Sequence, residues 1–384
     1  MPPARRWAKG TAILFAIGAV SGTVLSFELG LLWPGFMQFA GPLIGMPFSL
    51  EGFAFFLEAI FLGVYLYGWD RVSPRAHLAA GAVVAASGAA SAVFVVMVNA
   101  WMNTPTGFEV SADGKLLNID PIAAMQSPAA FQQALHMLLA AYAATGLAVA
   151  GVHALVLLRG GSSALHRRAL GIALLVGAPA AVLQPLSGDI SARVVAVTQP
   201  VKLAALESQW TTERGAPLRI GGIPDAEHER IRWALEIPYG LSLLAFHDPH
   251  AEVKGLDSIA KADRPPIAIV HIAFQVMVAL GSTMAVVGLF AGWVAWRRRD
   301  VATNKTLLRA LVVVMPFGFI ATEAGWIVTE VGRQPWVVQG LMRTSDAVTP
   351  MPGLVVPMTL FTLLYVGLGA IVVALMTSLV RETA

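Results

Sequence analysis

The sequence predicts an all-α integral membrane protein, a bundle of about eight transmembrane helices with one long extracytoplasmic loop. Three observations carry this. The 384 residues are 57% hydrophobic and only 13% charged, against about 25% charged residues in soluble domains. Mean hydropathy is +0.69. Eight separate apolar stretches have about the length that crosses a bilayer, roughly 20 residues.

In order, the spans fall at about 11–33, 47–68, 76–100, 130–158, 168–187, 265–295, 305–330 and 354–380. Met1–Gly10 is short and basic and runs straight into a full span, which does not fit a cleavable signal peptide. Read alternately, the connections place Arg5, Arg6 and Lys9, then Arg71 and Arg75, on one side. Arg159, Arg167 and Arg168, then Arg297, Arg298, Arg299 and Lys305, and finally Arg381, fall on that same side. The short loops opposite hold only Lys115, Arg333 and Arg343. Both termini are therefore expected in the cytoplasm of a bacterial inner membrane. The net charge of +3 marks topology, not a stripe for nucleic acid. Absence of cysteine excludes disulfides, a thiolate metal site and a cysteine nucleophile.

The chain thus divides into five helices (1–187), a connection (188–264) and three helices (265–384). The connection mixes apolar patches with charge, Glu213-Arg214 and Asp225 through Arg232, and contains a helix-like stretch, Val201–Trp210. A connection this long in a compact bundle is usually functional, the alternative being a solvated linker.

Chemistry enters with Glu51 and Glu58, both inside the apolar run Pro47 to Tyr67. A carboxylate near the middle of a span costs about 2.5–3.5 kcal/mol on insertion scales. Seven residues apart, the two lie on nearly the same helix face, roughly 10 Å apart along the axis. They are read as proton-handling groups, against the plainer reading of protonated carboxyls tied into interhelical hydrogen bonds. Imidazole and thioether are a known axial pair for low-spin haem iron, and His136, His153, His271 and Met277 lie in or near spans. Spacing alone does not choose among the three histidines, and most methionines in apolar surroundings are core. Glu330 precedes the run Gly332-Arg-Gln-Pro-Trp336. There Arg333 is placed to pair with Glu330 or with a haem propionate, and proline and tryptophan suit a helix end at the interface.

Together with further stretches, these residues resemble subunit I of the cytochrome bd-type quinol oxidases. The stretches are Glu51–Glu58 with Gly68-Trp-Asp-Arg71; Ser91-Ala92 with Asn99-Ala-Trp-Met102 and Pro105; His136; Lys202-Leu-Ala-Ala-Leu-Glu207; Gly221-Gly-Ile-Pro224; Phe274 to Met277; and Glu323-Ala-Gly-Trp326 through Trp336. They span nearly the whole chain in the family's order. The resemblance implies that His136 and Met277 are axial ligands of a low-spin haem b, and that Lys202 and Glu207 belong to the quinol-binding loop. It implies that Glu330 ligates or abuts a high-spin haem b, with haem d or a further haem b beside it. It also implies that Glu51 and Glu58 line a proton route and that Trp326 and Arg333 pack against the haem pair. Subunit II, a small single-helix subunit, membrane quinone and dioxygen are the implied partners.

Three departures accompany the resemblance. The family's first helix, which carries a histidine haem ligand, has no counterpart at the start of this sequence. Gln275 stands where many members have arginine, which fits the cyanide-insensitive branch and is expected to shift the low-spin haem's potential. Seven residues rather than eight separate Glu51 from Glu58. The competing readings are a proton-coupled transporter using Glu51, Glu58 and Glu330 without haem, and a haem-binding but inactive paralogue or fragment.

Overall fold

A computed structural model describes residues 3–112, 114–160, 164–297 and 300–381. Arg298 and Arg299 of the basic clusters lie outside the described residues, as do the side chains of Arg6 and Arg381. Eight helices are long and apolar enough to cross a membrane, among the described residues. The principal helices are α1 (Pro3–Leu32), α2 (Pro34–Tyr67), α3 (Pro74–Asn103), α4 (Ala130–Leu158), α5 (Ala164–Thr198), the short α6 (Pro200–Leu206) and α7 (Gly240–Phe246), α8 (Ile267–Trp296), α9 (Lys305–Val314), α10 (Phe317–Val331) and α11 (Val355–Arg381). By their contacts the residues form two compact units, one of 1–95, 108–121 and 345–384, the other of 96–107 and 122–344. The boundary falls within α3.

Three expected boundaries differ, each for a physical reason. The second span was expected to begin at Pro47, yet α2 begins at Pro34 and carries Pro42 and Pro47 internally. An internal proline removes one backbone bond, and in a helix bundle neighbouring groups re-satisfy what is freed. Glu51 accordingly sits at the middle of α2 rather than near its end. The fifth span was expected to stop at 187, but α5 runs to Thr198. Its polar last turns hold together through an i,i+4 ion pair, Arg193 to Asp189 at 2.6 Å. The seventh span is broken at Met315–Pro316 into α9 and α10, because proline cannot continue the ladder.

In the first unit α1 packs against α2 and α11. Phe15 stacks on Phe55 with centroids 5.1 Å apart, and Arg5 pairs with Asp70 at 2.6 Å while covering the Trp69 ring.

In the second unit α4 and α5 make the most intimate pair. Gly146 and Gly177 meet backbone to backbone, and a Cβ at Gly177 would lie 2.8 Å from the Gly146 carbonyl carbon and the Leu147 nitrogen. Small residues allow this approach, and packing rather than water expulsion holds such helices together in lipid. The core around them joins Leu147, Leu170, Leu174, Met284, Leu307 and Leu311 from α4, α5, α8 and α9. Gly177→Ala is expected to lower the thermal midpoint of the detergent-solubilised protein, with a cost of about 1–3 kcal/mol typical of overpacking. An unchanged midpoint would mean that the two helices separate freely.

Between Thr198 and Ile267 the second unit carries a small α/β layer. It holds α6, α7 and short antiparallel pairings of Glu213–Arg214 with Glu252–Val253, Leu218–Ile220 with Leu235–Ile237, and Ile223–Asp225 with Arg230–Arg232. The charges that read as a polar stretch are paired. Asp225 accepts from His228 and Arg232, and Glu229 from Arg264 at 2.9 Å. The layer has its own apolar core of Leu203, Ala216, Leu241 and Val253.

Candidate functional site

The candidate residues of the second unit gather at one end of its helices: the start of α4, the latter half of α5, the start of α8 and the end of α10. There α6 lies beside the helix ends. Pro200 opens α6 at a position where the missing N–H costs nothing, and Lys202, Leu203, Ala204, Ala205 and Leu206 are all buried.

The structure gives Lys202 and Glu207 different neighbours. Five residues on an α-helix turn through about 140° beyond a full circle, so the two side chains leave in different directions. The Lys202 ammonium donates to Asn103 Oδ1 and to the Thr329 carbonyl at 3.3 Å. Beside it Arg333, only 2% exposed, donates to Glu330 Oε2 at 2.6 Å, the Glu–Arg pairing that the sequence offered. Asn99 donates to the other Glu330 oxygen, and Asn103 donates to Asn99 Oδ1 at 3.0 Å. Both carboxylate oxygens of Glu330 are thus taken by N–H donors. Lys202 and Arg333 also line a cavity of about 220 Å³ with Gln199, Asp263, Gln334 and Trp336.

This cluster sets one carboxylate against two cations. Burial, then repulsion from Arg333, lowers the Lys202 ammonium to about 7, with Glu330 opposing. Burial likewise lowers Arg333. Arg333 Nε and Nη1 are buried without a hydrogen-bond partner. Buried guanidinium N–H groups left open beside a net positive cluster suit a further carboxylate.

Glu207 is 2% exposed and its Oε2 has no partner. Burial pushes its carboxyl up to about 8, partly offset by the Arg219 guanidinium. Arg219 is held in turn by Gln209 Oε1 at 2.5 Å and Glu236 Oε1 at 3.0 Å. Arg219 escaped the sequence reading because nothing in its spacing ties it to Glu207.

The three histidines part company. The two ring nitrogens of His271 face backbone carbonyls, Leu206 O at 2.6 Å and Gly221 O at 3.1 Å. His153 Nδ1 lies 2.9 Å from His166 Nδ1. His136 Nδ1 lies 2.8 Å from Ser187 Oγ, whose own hydrogen goes to the Gln184 carbonyl. The ring therefore donates from Nδ1 and keeps its lone pair on Nε2, where the Gln184 amide nitrogen stands at 3.1 Å. An Nδ1–H fixed by an oxygen is the arrangement metal-ligating histidines adopt, and here the Nε2 lone pair accepts from the Gln184 amide. Gly188, next to Ser187, faces the ring, and a Cβ there would make ordinary contact with His136 Cε1 at 3.6 Å.

Met277 packs with Ala205, Leu206, Val270, Ala273, Ala324 and Val328. A Cβ at Gly325 would lie 3.2 Å from its sulfur, so the glycine lets α10 come close. Trp326, the next residue, is 38% exposed, one turn before Glu330. Gln275 is turned to the backbone of the loop. Its amide donates to the Arg219 carbonyl at 3.0 Å and accepts from the Gly221 N–H at 3.0 Å.

In the first unit Glu51 and Glu58 both face α3. Ser91 donates to Glu51 Oε1 at 3.1 Å. The Glu58 carboxyl lies over Gly88, where a Cβ would come within 3.1 Å of it.

The donor set fits a haem. It offers an imidazole oriented through Nδ1, a thioether in apolar packing, and one buried guanidinium, Arg333, with two open N–H groups for a propionate.

The protein-family model described as cytochrome bd terminal oxidase subunit I matches residues 2–384. The chain is 38% identical over 376 residues to the putative cytochrome bd menaquinol oxidase subunit I of Bacillus subtilis, covering 96% of this chain and 84% of that one. It is 31% identical over 396 residues to the cytochrome bd ubiquinol oxidase subunit 1 of the same organism, covering 99% and 84%. Among solved structures, the bd oxidase of Geobacillus thermodenitrificans matches with a TM-score of 0.91 and 41% identity, over 99% of this chain and 88% of that one.

Proposed function

The chain belongs to the cytochrome bd terminal oxidase subunit I family, and on that premise we propose that it oxidises membrane quinol at the outer face and sends the electrons to dioxygen. The single observation that carries the quinol assignment is Glu207. It is a buried carboxyl with an open oxygen, held up to about 8, on a short helix beside the helix ends. A group with that affinity is poised to take a proton as a donor is oxidised.

His136 and Met277 would hold the low-spin haem b, with Ser187 fixing the imidazole ring. Arg333, steadied by Glu330, would receive a propionate, with Lys202 and Trp326 alongside. Haem, when bound, supplies the one-electron chemistry that quinol and dioxygen both require. Glu330 is the candidate for the high-spin haem b, with haem d or a further haem b completing the set. Glu51 and Glu58 are assigned to proton transfer, each carboxyl turned to the small or hydroxylic residues of α3.

The membrane assigned is the bacterial cytoplasmic membrane, with both termini inside. A helical second subunit and a single-helix subunit are the proposed partners. Gly18, Gly22 and Gly30 of α1 support a partner, because a Cβ at any of them would meet nothing within 4 Å. The two Bacillus relatives are named for different quinols, so either ring is admitted.

The test is the reduced-minus-oxidised spectrum of the complex purified with its partner, together with oxygen uptake on added quinol. Low-spin haem bands and quinol-dependent uptake are expected. A folded, haem-free complex would overturn the reading in favour of a transporter, and haem without uptake would favour an inactive paralogue.

A further inference from the structure

Gly221 is gripped at both of its peptide groups by one helix. Its N–H donates to Gln275 Oε1 at 3.0 Å, and its carbonyl faces His271 Nε2 at 3.1 Å. The residue has φ +69°, a left-handed conformation that glycine adopts without strain. Gln275 and His271 are one turn apart on α8, so they present one face to the same loop.

The same two side chains reach further. The other nitrogen of His271 lies 2.6 Å from the carbonyl of Leu206, the residue just before Glu207, and the single N–H of a neutral imidazole serves one of the two carbonyls. The amide nitrogen of Gln275 meets the carbonyl of Arg219, whose guanidinium is the charge that opposes the burial of Glu207. His271 is fully buried. The helix that makes these four contacts also carries Met277.

We propose that Gln275 and His271 form a latch that fastens the segment 206–221 to α8 and so positions Glu207 and Arg219 for quinol. Both are positioning residues, since neither is placed against substrate. The chemistry suits an amide at Gln275, because one planar group donates to a carbonyl and accepts from an N–H at once. Arginine, which only donates, cannot close both bonds. Glutamine here therefore serves the loop. The inference rests on the reading that this segment handles quinol.

The experiment uses Gln275→Met in the full complex, a change that keeps length and volume but removes both bonds. Amide hydrogen exchange at residues 219–223 is expected to quicken, and the KM for quinol to rise on the order of tenfold, the factor for losing two ordinary hydrogen bonds. The low-spin haem's potential should stay where it is. Unchanged exchange at 219–223 would overturn the latch, as would a shifted haem potential with an unchanged KM. Faster exchange with an unchanged quinol KM would overturn the positioning role. Glu207→Gln run alongside separates the two levels, since a normal quinol KM and rate in that variant condemns the loop reading itself.

Discussion

Replacing Met277 with leucine is expected to leave the chain folded and to abolish the low-spin haem spectrum. Leucine nearly matches methionine in volume, so repacking against Ala205, Val270, Ala273, Ala324 and Val328 should cost under about 1.5 kcal/mol. What is lost is the sulfur, the soft donor proposed as the partner of His136. The reduced-minus-oxidised spectrum reads the outcome. A retained low-spin band would remove Met277 from the ligand set.

Glu207→Gln is expected to depress quinol oxidation by about 10²–10⁴, the range for losing a general base. Oxidation of an artificial donor that bypasses the loop should be spared. The pH dependence gives a second reading. A proton acceptor works in its ionised form, so quinol turnover should rise with pH through the midpoint near 8 where the carboxyl is held, and this limb should vanish in the glutamine variant. Stability runs the other way. The native carboxyl, raised from an ordinary value near 4.5 to about 8, binds its proton more tightly than the unfolded chain does. Stability is therefore highest below about 4.5, falls as pH rises between those values, and is flattened by glutamine. Equal slowing of both donors would place the defect in the haems or the fold.

Much of the fold was legible because apolar runs of bilayer length leave few alternatives, and the eight spans follow from them. The pairing of Glu330 with Arg333 was legible for a local reason, their i,i+3 spacing at a helix end. The extension of α5 to Thr198 was hidden, since a hydropathy pattern counts Asp189 and Arg193 as polar and does not see them neutralise each other. The start of α2 was hidden by Pro47, whose penalty is local while the helix is held by packing elsewhere. Choosing among His136, His153 and His271 needed partners distant in sequence: Ser187 for the first, Leu206 and Gly221 for the last. Asn99 and Asn103 could have been found as a polar i,i+4 pair closing an apolar helix. Gln275 had a visible sequence oddity, but its hydrogen-bond partner lay 54 residues away at Gly221.

The short helix α6 and its cap residue turn two ionisable groups to different neighbours. On one side the charge of Lys202 answers to burial, Arg333 and Glu330. On the other, that of Glu207 answers to burial and Arg219. Within five residues the chain thus places a cation tied into a fixed cluster with Asn103 and, beyond it, a carboxyl with an open oxygen, so a group suited to holding an anion and one suited to gaining and losing a proton share one short scaffold.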